Sequence, residues 1–314
     1  ADLMAPAAGI AARGYAVPVT VQQKWALASK LGDLVSQPGF AATFLPRGRA
    51  PEVGERFEMP PAARALRLIG ATRGEAFYRG EIGAAIAGWS REHGGAMTEA
   101  DLAAFRPEWV EPLAQDYRGH TLHEIPPNGQ GIAAQMALGM LAHFDLAALP
   151  VDGPECQHLQ IEAMKLAFAD AYRFVADRAH MEGPAERLLD AGYLASRAKL
   201  IDAKRAQHFG PGPAFAGGTI YLATADESGM MASFIQSNYM GFGSGVVEPT
   251  FGISLQNRGA GFSMQERHPN VVAPGKRPFH TIIPAFLTRD GAPQMGFGIM
   301  GGHMQPQAHV QTLV

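Results

Sequence analysis

"GGTIYLATADESGMMASFIQSN", residues 217–238, decides how the whole chain is read. Two alternating runs, "TIYLATAD" and "MMASFIQSN", flank the turn "ESG", which is the signal of a β-hairpin. If Glu227, Ser228 and Gly229 form the loop, Thr219 falls opposite Ser237. Opposed residues of an antiparallel pair project to one face, with Cβ atoms about 5 Å apart. On spacing alone a plain Thr–Ser cross-strand pair is the favoured reading. The preceding Gly217-Gly218 argues for more, because glycines let the backbone bend sharply and leave the Gly218 carbonyl open to attack. A threonine whose own amine is set free can use it as general base, a recognised way to activate a hydroxyl nucleophile.

Downstream, "HTIIPAFLTRDGAPQMGFGIMGG" reads as a second hairpin turning at Asp290-Gly291. Upstream the texture is helical. "VQQKWALASKLGDLV" sets Val21, Trp25, Ala28, Leu31 and Val35 on one helical face, and Ile82, Ile86 and Trp89 repeat the pattern. Thr98 and Asp101 have nearly the spacing of a capping box. A further helix begins near Pro154 and carries Ile161, Met164, Phe168 and Val175. A helical portion, 1–218, and a strand-rich portion, 219–314, predict an α+β fold of helices packed on sheets.

The global numbers exclude several classes. A chain of 314 residues with formal net charge −3 gives no reason to expect nucleic acid or an anionic membrane as partner. The single Cys156, placed ahead of a helix, excludes an intrachain disulfide framework and reads as a packed, inert thiol. No apolar run reaches the roughly 18 residues of a membrane span, and no charged n-region with an apolar stretch opens the chain. A soluble protein, cytoplasmic or periplasmic, is expected. The final "QPQAHVQTLV" reads as helix interrupted at Val314, so a longer gene product is expected. His120 and His123 lack acidic or cysteine ligands at metal spacing apart from Glu124, so no metal and no cofactor is expected. "GFGSG" at 241–245 lacks the lysine and helix of a phosphate loop.

The stretch from Thr219 to Asn257 resembles the start of the small subunit of the γ-glutamyltransferases, which are N-terminal-nucleophile (Ntn) hydrolases. "PGKRPFHTIIPAF" and "GIMGGHMQPQ" resemble two later motifs of that family. "HLQIEAMKLAFADAYRFVAD" and "ADLAAFRPEWVEPLAQDYRGHTLHEIPPNGQG" are similar to its large subunit. The resemblance implies a four-layer αββα sandwich, incomplete here at both ends, and self-cleavage of a precursor into subunits that pair as a heterodimer. It also implies cleavage or transfer of an acyl group from a small-molecule amide. The family's nucleophile falls on Thr219, the cleavage site on Gly218–Thr219, and the threonine that hydrogen-bonds the nucleophile on Ser237. The oxyanion pair falls on Gly301 and Gly302, which without the resemblance would read as a turn.

The positions that hold the glutamyl group in the family carry Tyr239, Arg258, Gly261, His280 and Thr281 here. The aspartate that would pair with an α-ammonium is absent. An arginine without an acid suits an acyl group that bears a carboxylate and no amine, such as glutaryl, as in a cephalosporin-acylase-like branch. Arg258 reads equally well as a structural arginine. His303, beside the glycine pair, reads as a supporting group. A catalytically silent relative that kept the fold as a binding or structural module is the alternative, against which the retained Thr219, Ser237 and Gly301-Gly302 set argues.

Overall fold

The structure, a computed structural model, describes residues 1–209 and 218–314. Packing divides them into two compact units, Ala1–Glu108 with Gly241–Asn257 and Trp109–Met240 with Arg258–Val314.

The first unit carries α1 (Ala5–Arg13), β1 (Tyr15–Ala16), α2 (Val19–Ala28), α3 (Gly32–Val35), α4 (Phe40–Phe44) and β2 (Arg56–Phe57). It continues through α5 (Pro60–Thr72), α6 (Glu75–Arg79), α7 (Glu81–Glu92) and α8 (Glu99–Ala104), and from its later segment adds β7 (Val247–Glu248) and β8 (Ile253–Ser254). Its core is aromatic: Trp25 packs at 4.7 Å from Phe57 and 6.0 Å from Phe44, and its Nε1–H donates to the Phe44 carbonyl. The continuous helix expected from Val21 to Val35 is broken. The Ser29 hydroxyl donates to the Ala26 carbonyl, Lys30 and Leu31 form tighter bonds to Leu27 and Ala28, and Val21 and Leu31 are exposed. A serine that competes for backbone carbonyls ends α2 there. In α7, by contrast, Ile82 and Ile86 are buried as the periodicity predicts. The capping box at α8 forms, with the Thr98 hydroxyl accepting from the Asp101 N–H and the Asp101 carboxylate accepting from the Thr98 N–H.

The second unit begins with β3 (Leu113–Tyr117) and β4 (His120–Glu124), followed by α9 (Gly131–Leu141), α10 (Pro154–Phe174) and α11 (Ala191–Ala198). The hairpin β5 (Gly218–Ala225) and β6 (Met231–Tyr239) comes next, then β9 (Ala285–Arg289), β10 (Ala292–Phe297) and α12 (Gln305–Leu313). Four strands form an antiparallel sheet of order β10-β9-β4-β3. Every residue of α9 is buried, as its lack of a polar face requires. In α10, Met164 and Val175, just past its end, are buried, but Ile161 is exposed, and Cys156 lies buried inside the first turn rather than ahead of it. His123 makes a structural contact, its Nε2 lying 2.9 Å from the Thr288 hydroxyl across the sheet. Among the described residues no helix is long and apolar enough to cross a membrane.

Both hairpins turn where the sequence places them. Asp290 and Gly291 have φ of 51° and 76°, the left-handed pair of a two-residue turn matched to strand twist. In the first hairpin Asp226 N–H donates to the Met230 carbonyl, leaving Glu227, Ser228 and Gly229 as the loop, with Gly229 at φ 84°. The tertiary structure then anchors α12. The Glu124 carboxylate at the end of β4 meets His309 Nδ1 at 2.7 Å with both side chains fully buried, and burial pushes the Glu124 carboxyl above its ordinary range.

Candidate active site

All eight residues picked out by the sequence as catalytic or substrate-binding belong to the second unit. Thr219 is the second residue of β5 and is only 7% exposed. From Ala225↔Met231 to Ile220↔Gln236 the hairpin keeps the register that would set Thr219 opposite Ser237. The ladder then slips, and Gly218 pairs with Tyr239. Ser237 and Asn238 together therefore face the single Thr219, so the expected one-to-one pair is replaced by a bulge. The extra residue bends β6 and re-aims its side chains, as bulges next to functional sites commonly do. The Ser237 hydroxyl accepts from the Tyr239 N–H at 2.8 Å, and Tyr239 sits at φ 80°, a strained value for a bulky residue. Gly217 lies outside the described residues.

Arg258 gathers three of these positions. It is 7% exposed; one guanidinium nitrogen donates to the Thr281 hydroxyl at 3.2 Å, another to the Ser237 carbonyl at 3.3 Å, and the cation lies 5.5 Å from the Tyr239 ring centre. Burial brings its pKa down to about 10, with the Tyr239 hydroxyl opposing, so it stays charged at neutral pH. His280 is held down to about 3, by burial first and by Arg258 second, and is therefore neutral. Its N–H donates to the Asn128 carbonyl, its own carbonyl accepts from the Gln130 N–H, and its Nδ1 accepts from the Ile282 N–H at 3.4 Å.

Gly301 and Gly302 have φ of 147° and 60°, and Gly302 opens the short turn Gly302–Met304 that leads into α12. Among the described residues neither N–H donates a hydrogen bond. Unspent amides at the head of a helical segment are suited to a developing negative charge.

Two residues that the sequence reading passed over hold this arrangement. Gln130, fully buried, donates from Nε2 to the Thr281 and Gly302 carbonyls, each at 2.8 Å, and so clamps the glycine turn to the segment that carries Thr281. Nothing in "PPNGQG" marks the glutamine as more than a loop residue. Tyr172 on α10 places its hydroxyl 3.0 Å from His303 Nδ1, while Tyr239 places its own 3.3 Å from Nε2. His303 also stacks on Phe279, with planes 8° apart, and burial lowers its pKa. Beside it lies a cavity of about 420 Å³, whose walls include Tyr172, Tyr239, Gly261, Phe279 and His303.

Gln130→Met should cost about 1–3 kcal/mol of stability, because two buried carbonyls lose their donor. Urea unfolding of the folded variant measures it; a stability equal to that of the parent removes Gln130 from the scaffold.

The model of the family described as gamma-glutamyltranspeptidase matches residues 1–314. The chain is 38% identical over 315 residues to the glutathione hydrolase-like YwrD proenzyme of Bacillus subtilis, covering 100% of this chain and 59% of the relative. It is 39% identical to the oxamate amidohydrolase proenzyme of Klebsiella pneumoniae, covering 98% and 57%. The crystal structure of cephalosporin acylase from Bacillus halodurans superposes with a TM-score of 0.92 at 46% identity, covering 98% of this chain and 57% of that one. The chain thus spans 57% to 59% of the length of these relatives.

Proposed function

The chain belongs to the γ-glutamyltranspeptidase family, and from that premise we propose that it is part of a self-processing Ntn amidohydrolase or acyltransferase with Thr219 as nucleophile. The observation that carries the reading is Thr219, buried one residue into β5 at the point where the ladder slips. Ser237 lies across that slip.

In the maturation step the Thr219 hydroxyl adds to the Gly218 carbonyl. The Gly218–Thr219 C–N bond breaks, the nitrogen takes the proton, and water hydrolyses the resulting ester. This leaves a Gly218 carboxylate and a Thr219 with free amine and free hydroxyl. In turnover the amine accepts the hydroxyl proton as the oxygen attacks a substrate amide. Ser237 hydrogen-bonds the nucleophile, and the Gly301 and Gly302 N–H groups take the oxyanion. The leaving amine departs with the proton, and water or an amine then releases the acyl group. Maturation cuts the chain after Gly218, so that residues 1–218 belong to the larger subunit and residues 219–314 to the smaller, and the two subunits pair as a heterodimer in a four-layer αββα sandwich. This division concerns a covalent cut and is independent of the packing units. Mass spectrometry of the full-length protein tests the reading: the smaller subunit should begin at Thr219, and a terminus elsewhere overturns it.

Of the four positions expected to hold the acyl group, Tyr239 lines the adjoining cavity, whereas Arg258, His280 and Thr281 do not; Arg258 instead ties the Thr281 hydroxyl to the Ser237 carbonyl. No acidic residue lines the adjoining cavity among the described residues, and Gly261 occupies the place where an ammonium would need a partner. Burying an ammonium unpaired costs several kcal/mol. Glutaryl p-nitroanilide should therefore be hydrolysed at least as well as γ-glutamyl p-nitroanilide. A tenfold preference in kcat/KM for the γ-glutamyl compound, about 1.4 kcal/mol, would show that an ammonium site exists.

A further inference from the structure

The cavity beside His303 has an electrostatic asymmetry that the residues of the proposed mechanism do not account for. Among the described residues lining it, Arg173 carries the one permanent charge. Both ring nitrogens of His268 are engaged, Nδ1 accepting from the Asn270 N–H and Nε2 lying 2.8 Å from the Tyr172 carbonyl. His303 lies between the two tyrosine hydroxyls, and burial lowers its pKa. Arg258 is not among the lining residues, and two of its nitrogens already serve Ser237 and Thr281.

Arg173 is differently placed. It follows Tyr172 at the end of α10, so the residue that braces His303 also fixes the start of the arginine stem. Its side chain is 53% exposed, on the solvent side of the cavity, and its two terminal nitrogens reach Glu182 at 3.3 and 3.4 Å. That partner is 57% exposed, and an exposed ion pair of this length is weak and readily exchanged. A guanidinium presents a planar fork that matches a carboxylate in two parallel bonds.

We propose that Arg173 is a specificity-determining residue, which leaves Glu182 to bind the terminal carboxylate of an acyl group lodged in the aromatic-walled cavity. The inference rests on the reading of Thr219 as the acyl-enzyme nucleophile and names the substrate class of that site: acyl chains ending in a carboxylate.

The test uses the full-length, self-processed protein and two anilides of equal chain length, glutaryl and pentanoyl p-nitroanilide, only the first of which carries the distal charge. Arg173→Gln should lower kcat/KM for the glutaryl compound about tenfold or more, mainly through KM, and leave the pentanoyl compound within about twofold. Glu182→Gln, which frees the guanidinium, should lower the glutaryl KM and leave the pentanoyl KM unchanged. Equal losses on both anilides, or an unaltered glutaryl KM in Arg173→Gln, overturn the proposal. Calorimetric binding of free glutarate does not pass through Thr219 chemistry and so separates the two readings. Glutarate bound by the parent and lost in Arg173→Gln supports the arginine even where no anilide is turned over. Glutarate bound equally by both, or by neither, overturns it.

Discussion

Thr219→Ala should leave the full-length protein as one uncut chain without amidase activity. Alanine removes the oxygen to which we assign the attack on the Gly218 carbonyl, so no ester should form, and without the cut no free amine becomes available at residue 219 to act as base. Both losses follow from one atom, which is why the effect is all-or-none rather than graded. The fold should survive. Thr219 is a small buried residue on a two-stranded ladder, and the pairs from Ile220 to Ala225 should persist in the variant. A denaturing gel and an anilide assay read the result. Thr219→Ser is the matched control: it keeps a hydroxyl and should still split, more slowly. An alanine variant that cleaves itself would remove Thr219 from the chemistry and move the search to another hydroxyl.

The proposed oxyanion pair, Gly301 and Gly302, should give the second large effect. Gly302→Val in the processed enzyme should lower kcat roughly a hundredfold or more, with a smaller change in KM, the signature of an interaction made in the transition state. A hundredfold is about 2.7 kcal/mol of transition-state stabilisation. The structural reason is the backbone at this position. Gly302 sits at φ 60°, which a β-branched residue adopts only under strain, so valine must turn the peptide and carry its N–H away from the reacting carbonyl. The Gln130 clamp on the Gly302 carbonyl resists that turn, and the resulting conflict falls on the amide geometry. Gly302→Ala, strained at the same φ but smaller, should lose less. Unchanged turnover in a folded valine variant would exclude the pair from the mechanism.

The sequence by itself determined what short-range chemistry controls. The three-residue loop at Glu227–Gly229 fixes the register of β5 on β6 through Ile220↔Gln236, and the Asp290-Gly291 pair fixes the second hairpin. Thr98 and Asp101 fix the start of α8. Each of these is set by residues a few positions apart, so each can be read along the chain. Where a local competitor intervened, as at Ser29, a periodic stripe was not enough to carry a helix through.

The tertiary structure decided the rest. The slip that sets Ser237 and Asn238 against Thr219 occurs at the end of β6, where Arg258, 21 residues on, takes the Ser237 carbonyl. Gln130 reaches Gly302 across 172 residues, and Tyr172 reaches His303 across 131. Such contacts leave no periodicity, because they depend on how elements pack and not on the spacing within any one of them. For the same reason "HTIIPAF" shows His280 and Thr281 as neighbours but not their division of labour. Burial holds the imidazole neutral, with its Nδ1 accepting from the Ile282 N–H, while the threonine hydroxyl meets the guanidinium.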